Sequence, residues 1–203
     1  MKSLSLVLVL LFTTAFTYAP TPVNDKKDID KLVAYMEETK QFFIDNVKDL
    51  SEAQLDFKAA PDKWSIRQCM EHIAISEKMI FGFVQMGFQK PEDSIKHKDI
   101  KVTDDQIMQI ITDRSRKAQA PEFLKPTNQF KSKEEAVDAF LKQREANEAF
   151  IKTTDVNLRD HYIEHPLLGL LDSYQGFLLL AGHSKRHTLQ IEEVKASPDF
   201  PKS

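Results

Sequence analysis

The chain has 203 residues, a length that suits one domain with a sizeable buried core. Hydrophobic residues make up 41% and charged residues 29%, which indicates a globular chain and excludes an intrinsically disordered one. The formal net charge of −3, without a basic block, argues against nucleic acid as a partner.

Glycine and cysteine usage narrow the fold class further. Only five glycines occur, too few for a sheet protein rich in tight turns, so the composition favours helices. Cys69 is the single cysteine and has no partner for an internal disulfide. Stability must therefore come from packing.

The N-terminal segment has the pattern of a secretory signal peptide. Lys2 precedes the apolar run 4–12, and Thr17 and Ala19 occupy positions −3 and −1 of a cleavage site. Pro20 at position +1 is awkward and leaves the cleavage position open. The apolar run is much shorter than the ~20 residues that span a bilayer. The sequence predicts export to the periplasm or beyond the cell, without a membrane anchor in the mature chain.

Behind a polar linker, the chain is predicted to form one helical domain. Four long segments place apolar residues at three- and four-residue steps, the pattern of a helix with one buried face; they are 29–48, 66–88, 134–153 and 173–196. A shorter helix is predicted at 104–118. The predicted organisation is a signal peptide at 1–19, a linker at 20–27, a bundle at 28–197 and a tail at 198–203.

Helix starts are marked by N-capping motifs, in which Ser or Thr is followed three residues later by Gln or Glu. Such motifs begin at Ser51, Ser65, Thr103 and Ser132, the first of which opens only a short turn. The last helix is expected to begin near Asp172 or Ser173.

Four amphipathic helices of similar length can bury their apolar stripes against one another, so the predicted fold is an all-α four-helix bundle with one extra short helix. The links 89–133 and 154–172 are long enough for a crossover instead of strict up-and-down order. The stretch 154–171 is expected to be irregular, and the pattern requires no strand.

Two histidines of the last predicted helix share one face. His183 and His187 are spaced i, i+4, so both imidazoles can reach one cation. His72, in an apolar part of the second long helix, is the best candidate for a third ligand. Three neutral imidazoles suit zinc, nickel, copper or iron(II) and leave a position for water or substrate. Spacing alone leaves open that these histidines serve surface or core packing instead.

Other metal and hydrolase motifs fit less well. A zinc-protease helix would place Glu directly after the first histidine, where Ser184 stands. A di-iron bundle needs Glu three residues before its inward histidines, and none of the three candidates has one. The motifs of serine hydrolases and phosphate-binding loops do not occur in the sequence.

Three short motifs, in this order, resemble those of the DinB-like superfamily of metal-binding bundles. They are Trp-Ser followed by His72 in 64–77, His-Pro-Leu-Leu-Gly at 165–169, and His-x-x-x-His-x-x-Gln within 182–191. The similarity spans most of the mature chain, to about Val194. The resemblance implies a four-helix bundle in which His72 meets the pair of the last helix at one divalent metal.

The resemblance also implies a class of activity. Members of this superfamily include thiol S-transferases that use bacillithiol, a mycothiol-dependent isomerase and proteins of unknown activity. In the thiol enzymes the metal would lower the pKa of the cofactor thiol. The predicted export signal departs from that setting, because low-molecular-weight thiols are chiefly cytosolic.

The expected function is therefore a metal-dependent enzyme, a thiol S-transferase or a hydrolase, acting on a small molecule. Zinc and nickel are the preferred metals, and a homodimer is compatible with the sequence. The alternative is a non-enzymatic exported bundle that binds a metal or a small ligand.

Some residues near these motifs have two interpretations. Cys69, one turn before His72, either reaches the metal cavity or is a small buried hydrophobe, and burial is preferred. Gln190, three residues after His187, either orients a ligand or is an exposed helix residue.

Trp64 is expected to be a packing anchor at the start of its helix. His165 is left out of the metal site, because the following proline indicates a loop. Arg144 and Asn147, on the predicted helix 134–153, are candidates for lining the cavity.

Overall fold

The computed structural model describes residues 23–116 and 119–202. The predicted signal peptide and its cleavage site lie outside these ranges. The helices and strands in chain order are α1 (Lys26–Val47), α2 (Glu52–Asp56), α3 (Ile66–Gly87), α4 (Asp104–Thr112), α5 (Lys133–Thr153), β1 (Tyr162–His165), β2 (Gly169–Asp172) and α6 (Ser173–Lys195). Short 3₁₀ turns occur at Lys96–Asp99 and Glu122–Leu124.

Side-chain caps set where the helices begin. Ser51, Ser65 and Thr103 form complete capping boxes with the glutamines three residues on, as predicted. Asp172 forms a fourth box, so α6 begins directly after β2. Ser132 caps α5 through one bond from the Glu135 amide. Each cap satisfies amide groups that a helix start leaves without intrahelical partners.

The four long helices pack in a ring. α6 packs against α1 and α3, and α5 packs against the same two helices. α1 therefore lies diagonally opposite α3, and α5 lies opposite α6. The link 154–172 therefore crosses the bundle from α5 to α6, as the sequence permits, whereas the link 89–133 joins the neighbouring helices α3 and α5. The short α4 packs on the outer side of α6.

α6 is the central element of the bundle. Every residue from 173 to 182 is buried, because α1, α3, α4 and the strands all cover this helix. A helix that is apolar on all sides is expected only in such a position. Among residues 23–116 and 119–202, no helix combines the length and hydropathy needed to cross a membrane.

The prediction that 154–171 is irregular was wrong for two short segments. β1 and β2 pair antiparallel, with Tyr162 opposite Asp172 and His165 opposite Gly169. Gly169 has φ +75°, a backbone conformation that favours glycine. Segments of four residues are too short to show a clear alternation, so the sequence pattern did not reveal them.

The predicted helix 104–118 ends earlier, at Thr112. Asp113 leaves the helical region with ψ 100°, and its carboxylate accepts the Ser115 amide at 2.9 Å. This local bond competes with continuation of the helix, which is why aspartate favours helix ends over helix interiors.

Candidate metal centre

Two helices bring the three candidate histidines together. His72 lies on α3, and His183 and His187 lie one turn apart on α6, which packs against α3. One ring nitrogen from each histidine lies within 4.8 Å of those of the other two. The ring centroids are 4.3–5.0 Å apart. The packing of α3 on α6 therefore brings residues from two distant segments of the sequence together in one cluster.

Hydrogen bonds fix which nitrogen two of the three rings present. The Nδ1–H of His72 donates to the carbonyl of Leu124 at 2.8 Å, which leaves Nε2 of the neutral ring with a lone pair. The Nδ1–H of His187 donates to Oε1 of Gln190 at 2.9 Å, and again Nε2 is left as the acceptor. Ligating histidines in proteins are held in the same way, by a bond from the second ring nitrogen.

One pair of donor atoms has the spacing of two ligands on a single metal ion. Nε2 of His72 lies 3.3 Å from Nε2 of His183. Two imidazole nitrogens at 2.0–2.1 Å from one tetrahedral zinc ion would be about 3.3 Å apart. The cluster also offers three ligands rather than four, the number that leaves a coordination position open. These residues can hold a divalent transition metal.

Burial keeps the cluster uncharged. His72 and His187 are 2% and 9% exposed, and His183 is half-buried with a buried Nδ1. Burial, with a smaller contribution from the neighbouring His72, lowers the pKa of His183 to about 3. Burial also lowers the pKa of His72 and places that of His187 well below its usual value. Neutral imidazole is the form that binds metals, so the folded chain prepares its ligands.

Trp64 covers one side of the cluster. Its ring centroid lies 4.9 Å from that of His72 and 6.0 Å from that of His187, and the indole stacks on the latter ring at 28°. The sequence predicted a packing anchor at this position, and the residues it packs against include two of the candidate ligands. Contact with an indole limits how far the two rings can rotate.

Glu71 and Leu124 are parts of the site that sequence reasoning missed. The Leu124 carbonyl holds His72, and the buried Glu71 carboxylate accepts backbone amides of residues 127–129. A glutamate inside the apolar stretch that begins α3 was a visible signal, because buried carboxylates need partners. No sequence signal marked Leu124, which acts through its backbone.

The remaining candidates near the site have clear positions. Cys69 is fully buried within an apolar cluster, and burial raises the pKa of its thiol to about 12, as expected of a small hydrophobe. Gln190 accepts a hydrogen bond from His187, so it orients this candidate ligand and is not simply an exposed helix residue. His165 accepts the amides of Leu167 and Leu168 in the hairpin turn.

Arg144 and Asn147 do not line a cavity at the cluster. Both are completely buried and donate to the carboxylate of Glu77, in the interior of the bundle. The hydroxyl of Ser184, next to His183 in sequence, donates to the same carboxylate at 3.1 Å. This polar network ties α3, α5 and α6 together beside the histidines.

A groove of about 1220 Å³ lies elsewhere on the molecule. Its lining includes residues of α1, α4 and α6 and of the links, among them Tyr35, Arg159 and Tyr174, but none of the three clustered histidines. The groove is therefore separate from the candidate metal centre.

Comparisons with known proteins agree with this fold. A sequence model of the DinB superfamily matches residues 35–191. The uncharacterized protein YuaE of Bacillus subtilis is 28% identical over 153 residues, which are 73% of this chain and 88% of that protein.

A solved structure shows the same architecture. YfiT from Bacillus subtilis, described as a probable metal-dependent hydrolase with an unusual four-helix bundle topology, matches with a TM-score of 0.52 and 18% identity. The match covers 88% of this chain and 91% of that one, which supports the predicted four-helix bundle. Since the family match spans most of its length, this chain belongs to the DinB superfamily.

Proposed function

We propose that this chain is an exported metal-dependent hydrolase, in which His72, His183 and His187 hold one divalent transition metal with an open coordination position. The observation that carries the proposal is the convergence of the three ring nitrogens, each within 4.8 Å of the others. Of the metals that neutral imidazole suits, zinc and nickel are the ones we propose.

The chain's own residues prepare the site before any substrate arrives. Leu124 and Gln190 fix the tautomers of His72 and His187, and Trp64 restricts both rings. When bound, the metal would supply Lewis acidity that lowers the pKa of water to near neutral. His183 and Gln190 are partly exposed, so the α6 side of the cluster is not fully covered by the protein.

Two considerations favour water over a thiol as the activated group. The predicted signal peptide would take the chain away from the cytosol, where low-molecular-weight thiols are concentrated. YfiT, which shares the fold, is described as a probable hydrolase. Thiol S-transfer is the related reaction that the same open site could support, since a metal also lowers the pKa of a thiol.

Metal content and hydrolysis test the proposal together. The protein purified without chelators should contain one transition metal per chain by elemental analysis, and His183→Ala should contain little. The panel of substrates consists of carboxylic esters, phosphate esters and amides. Their hydrolysis should require the metal and be lost in His183→Ala. His97→Ala, which alters an exposed histidine outside the cluster, is the matched control and should retain both properties.

A non-enzymatic role is the second candidate, because the groove near Tyr35 and Arg159 does not adjoin the histidines. In that case the metal would be bound stoichiometrically, but neither ester hydrolysis nor thiol transfer to electrophiles would occur. Metal-dependent turnover with either substrate class excludes this alternative. Absence of metal after gentle purification would contradict the hydrolase and leave only the binding of a small ligand.

Export can be tested separately from catalysis. Expression of the full chain should place the mature protein outside the cytoplasm, and N-terminal sequencing should begin near Pro20. Deletion of residues 2–19 should retain the protein in the cytoplasm. An intact N-terminus on the wild-type chain would contradict export by this segment.

A further inference from the structure

Glu71 and His72, neighbours on α3, both contact the link that precedes α5. The Glu71 carboxylate accepts the backbone amides of Thr127 at 2.7 Å, Asn128 at 2.9 Å and Gln129 at 3.2 Å. His72 donates through Nδ1 to the carbonyl of Leu124 in the same link. Two adjacent residues of α3 thus hold residues 124–129 at both ends, one as acceptor and one as donor.

The Glu71 contact is the principal tether of the turn at 127–129. The side chains of Thr127, Asn128 and Gln129 are exposed, so apolar burial contributes little there. Asn128 has φ +61°, a bend that lets successive amides point at one anion. Glu71 itself is 2% exposed, and a buried carboxylate depends on such charge-assisted bonds.

We propose that Glu71 is a positioning residue for the metal centre. By fixing the backbone at 127–129 it keeps the Leu124 carbonyl on Nδ1 of His72. That bond selects the Nδ1–H tautomer and directs Nε2 towards His183, 3.3 Å away. The inference rests on the proposed metal site for its purpose, while the link from Glu71 to the His72 tautomer can be measured without any metal.

Two substitutions of Glu71 should weaken its bonds to the backbone at 127–129 to different extents. Glu71→Gln keeps the size of the side chain but replaces one acceptor oxygen with an NH₂ group, which cannot accept an amide hydrogen. Glu71→Asp keeps the charge and withdraws the carboxylate by one methylene. Glu135→Gln is the matched control, because the exposed Glu135 carboxylate also accepts a link amide, that of Lys131 at 2.7 Å.

The first measurement is the tautomer of His72 in the metal-free protein, from long-range ¹H–¹⁵N spectra of histidine-labelled samples. The wild type and Glu135→Gln should show the Nδ1–H form. Glu71→Gln should show a mixture with the Nε2–H form, and Glu71→Asp an intermediate population. A wild-type His72 in the Nε2–H form would overturn the proposal even if every Glu71 variant failed to fold.

The second measurement is zinc affinity by competition with a chelator. Glu71→Gln should bind zinc about tenfold or more weakly, the usual effect of removing an outer support of a ligand, with unchanged stoichiometry. Wild-type affinity and tautomer in a folded Glu71→Gln protein would overturn the proposal. If the wild type binds no zinc but the tautomer still follows Glu71, the metal function fails while the positioning role of Glu71 stands.

Discussion

Arg144 and Glu77 form a two-pronged ion pair in which neither side chain is exposed to solvent. Nε and Nη2 of Arg144 donate to the two carboxylate oxygens of Glu77 at 2.5 and 2.9 Å. The remaining guanidinium nitrogen donates to the carbonyl of Met36 and the hydroxyl of Thr39 on α1. One side chain of α5 thus connects α1 and α3 beneath the histidine cluster.

Arg144→Met should destabilise the protein severely. The substitution leaves the Glu77 carboxylate buried without its cation, and breaking a buried pair on one side costs about 3–5 kcal/mol. Urea unfolding monitored by circular dichroism measures the loss. The double variant Arg144→Met/Glu77→Leu should be more stable than the single variant, because no unpaired charge remains.

A control for this comparison is the pair Lys26–Asp30, whose side chains are 82% and 62% exposed. Lys26→Ala should leave the unfolding midpoint almost unchanged, since solvent screens exposed ion pairs. Equal losses in the free energy of unfolding for Lys26→Ala and Arg144→Met would contradict the expectation that the buried ion pair matters more than the exposed one.

Metal binding should stabilise the folded chain. At about 100 times its dissociation constant, zinc should raise the free energy of unfolding by about 2.7 kcal/mol, provided that it binds only the folded state. Thermal unfolding with and without a chelator measures the shift. His183→Gln should show none, because it removes a nitrogen of the cluster, whereas His97→Gln should respond like the wild type.

The metal-free protein should lose stability as the pH falls below about 6.5, which is the ordinary pKa of a histidine side chain. Burial lowers the pKa of His183 to about 3 in the folded state, so between these values only the unfolded chain takes up the proton. Protons then favour unfolding, and this loss ends below the folded-state pKa. His187, whose pKa is also well below its usual value, adds to the effect.

Urea unfolding of the chelated protein at pH 7.5, 6.0 and 4.5 measures this dependence. His183→Gln should lose less stability over the same interval, because glutamine does not titrate. Equal pH dependence in the wild type and His183→Gln would show that His183 is not held neutral by the fold.

Two helical glycines should respond to alanine in opposite directions. A Cβ at Gly182 would lie 2.3 Å from Cγ2 of Ile111, so Gly182→Ala should push α4 away from α6 and cost about 1–3 kcal/mol. A Cβ at Gly82 meets nothing within 4 Å, so Gly82→Ala should stabilise α3 by up to about 1 kcal/mol. Stabilisation by both substitutions would contradict the close packing of α4 on α6.

Much of the fold could be predicted because it depends on local rules. The apolar stripes and the capping residues Ser65 and Thr103 act within a few residues of the helices they define, so the long helices were placed to within about three residues at their ends. The hairpin at Tyr162–Asp172 was missed, because strand pairing is a contact between segments and leaves little pattern in four residues.

The histidine cluster could likewise be predicted from the sequence only in part. The i, i+4 spacing determined by itself that His183 and His187 share a helix face, since that follows from helical geometry. Only the packing of α3 on α6 brings His72 to them. Tertiary structure alone also decides the supports of His72, because a backbone carbonyl at Leu124 and amides at 127–129 carry no side-chain signature and are placed by the path of the chain.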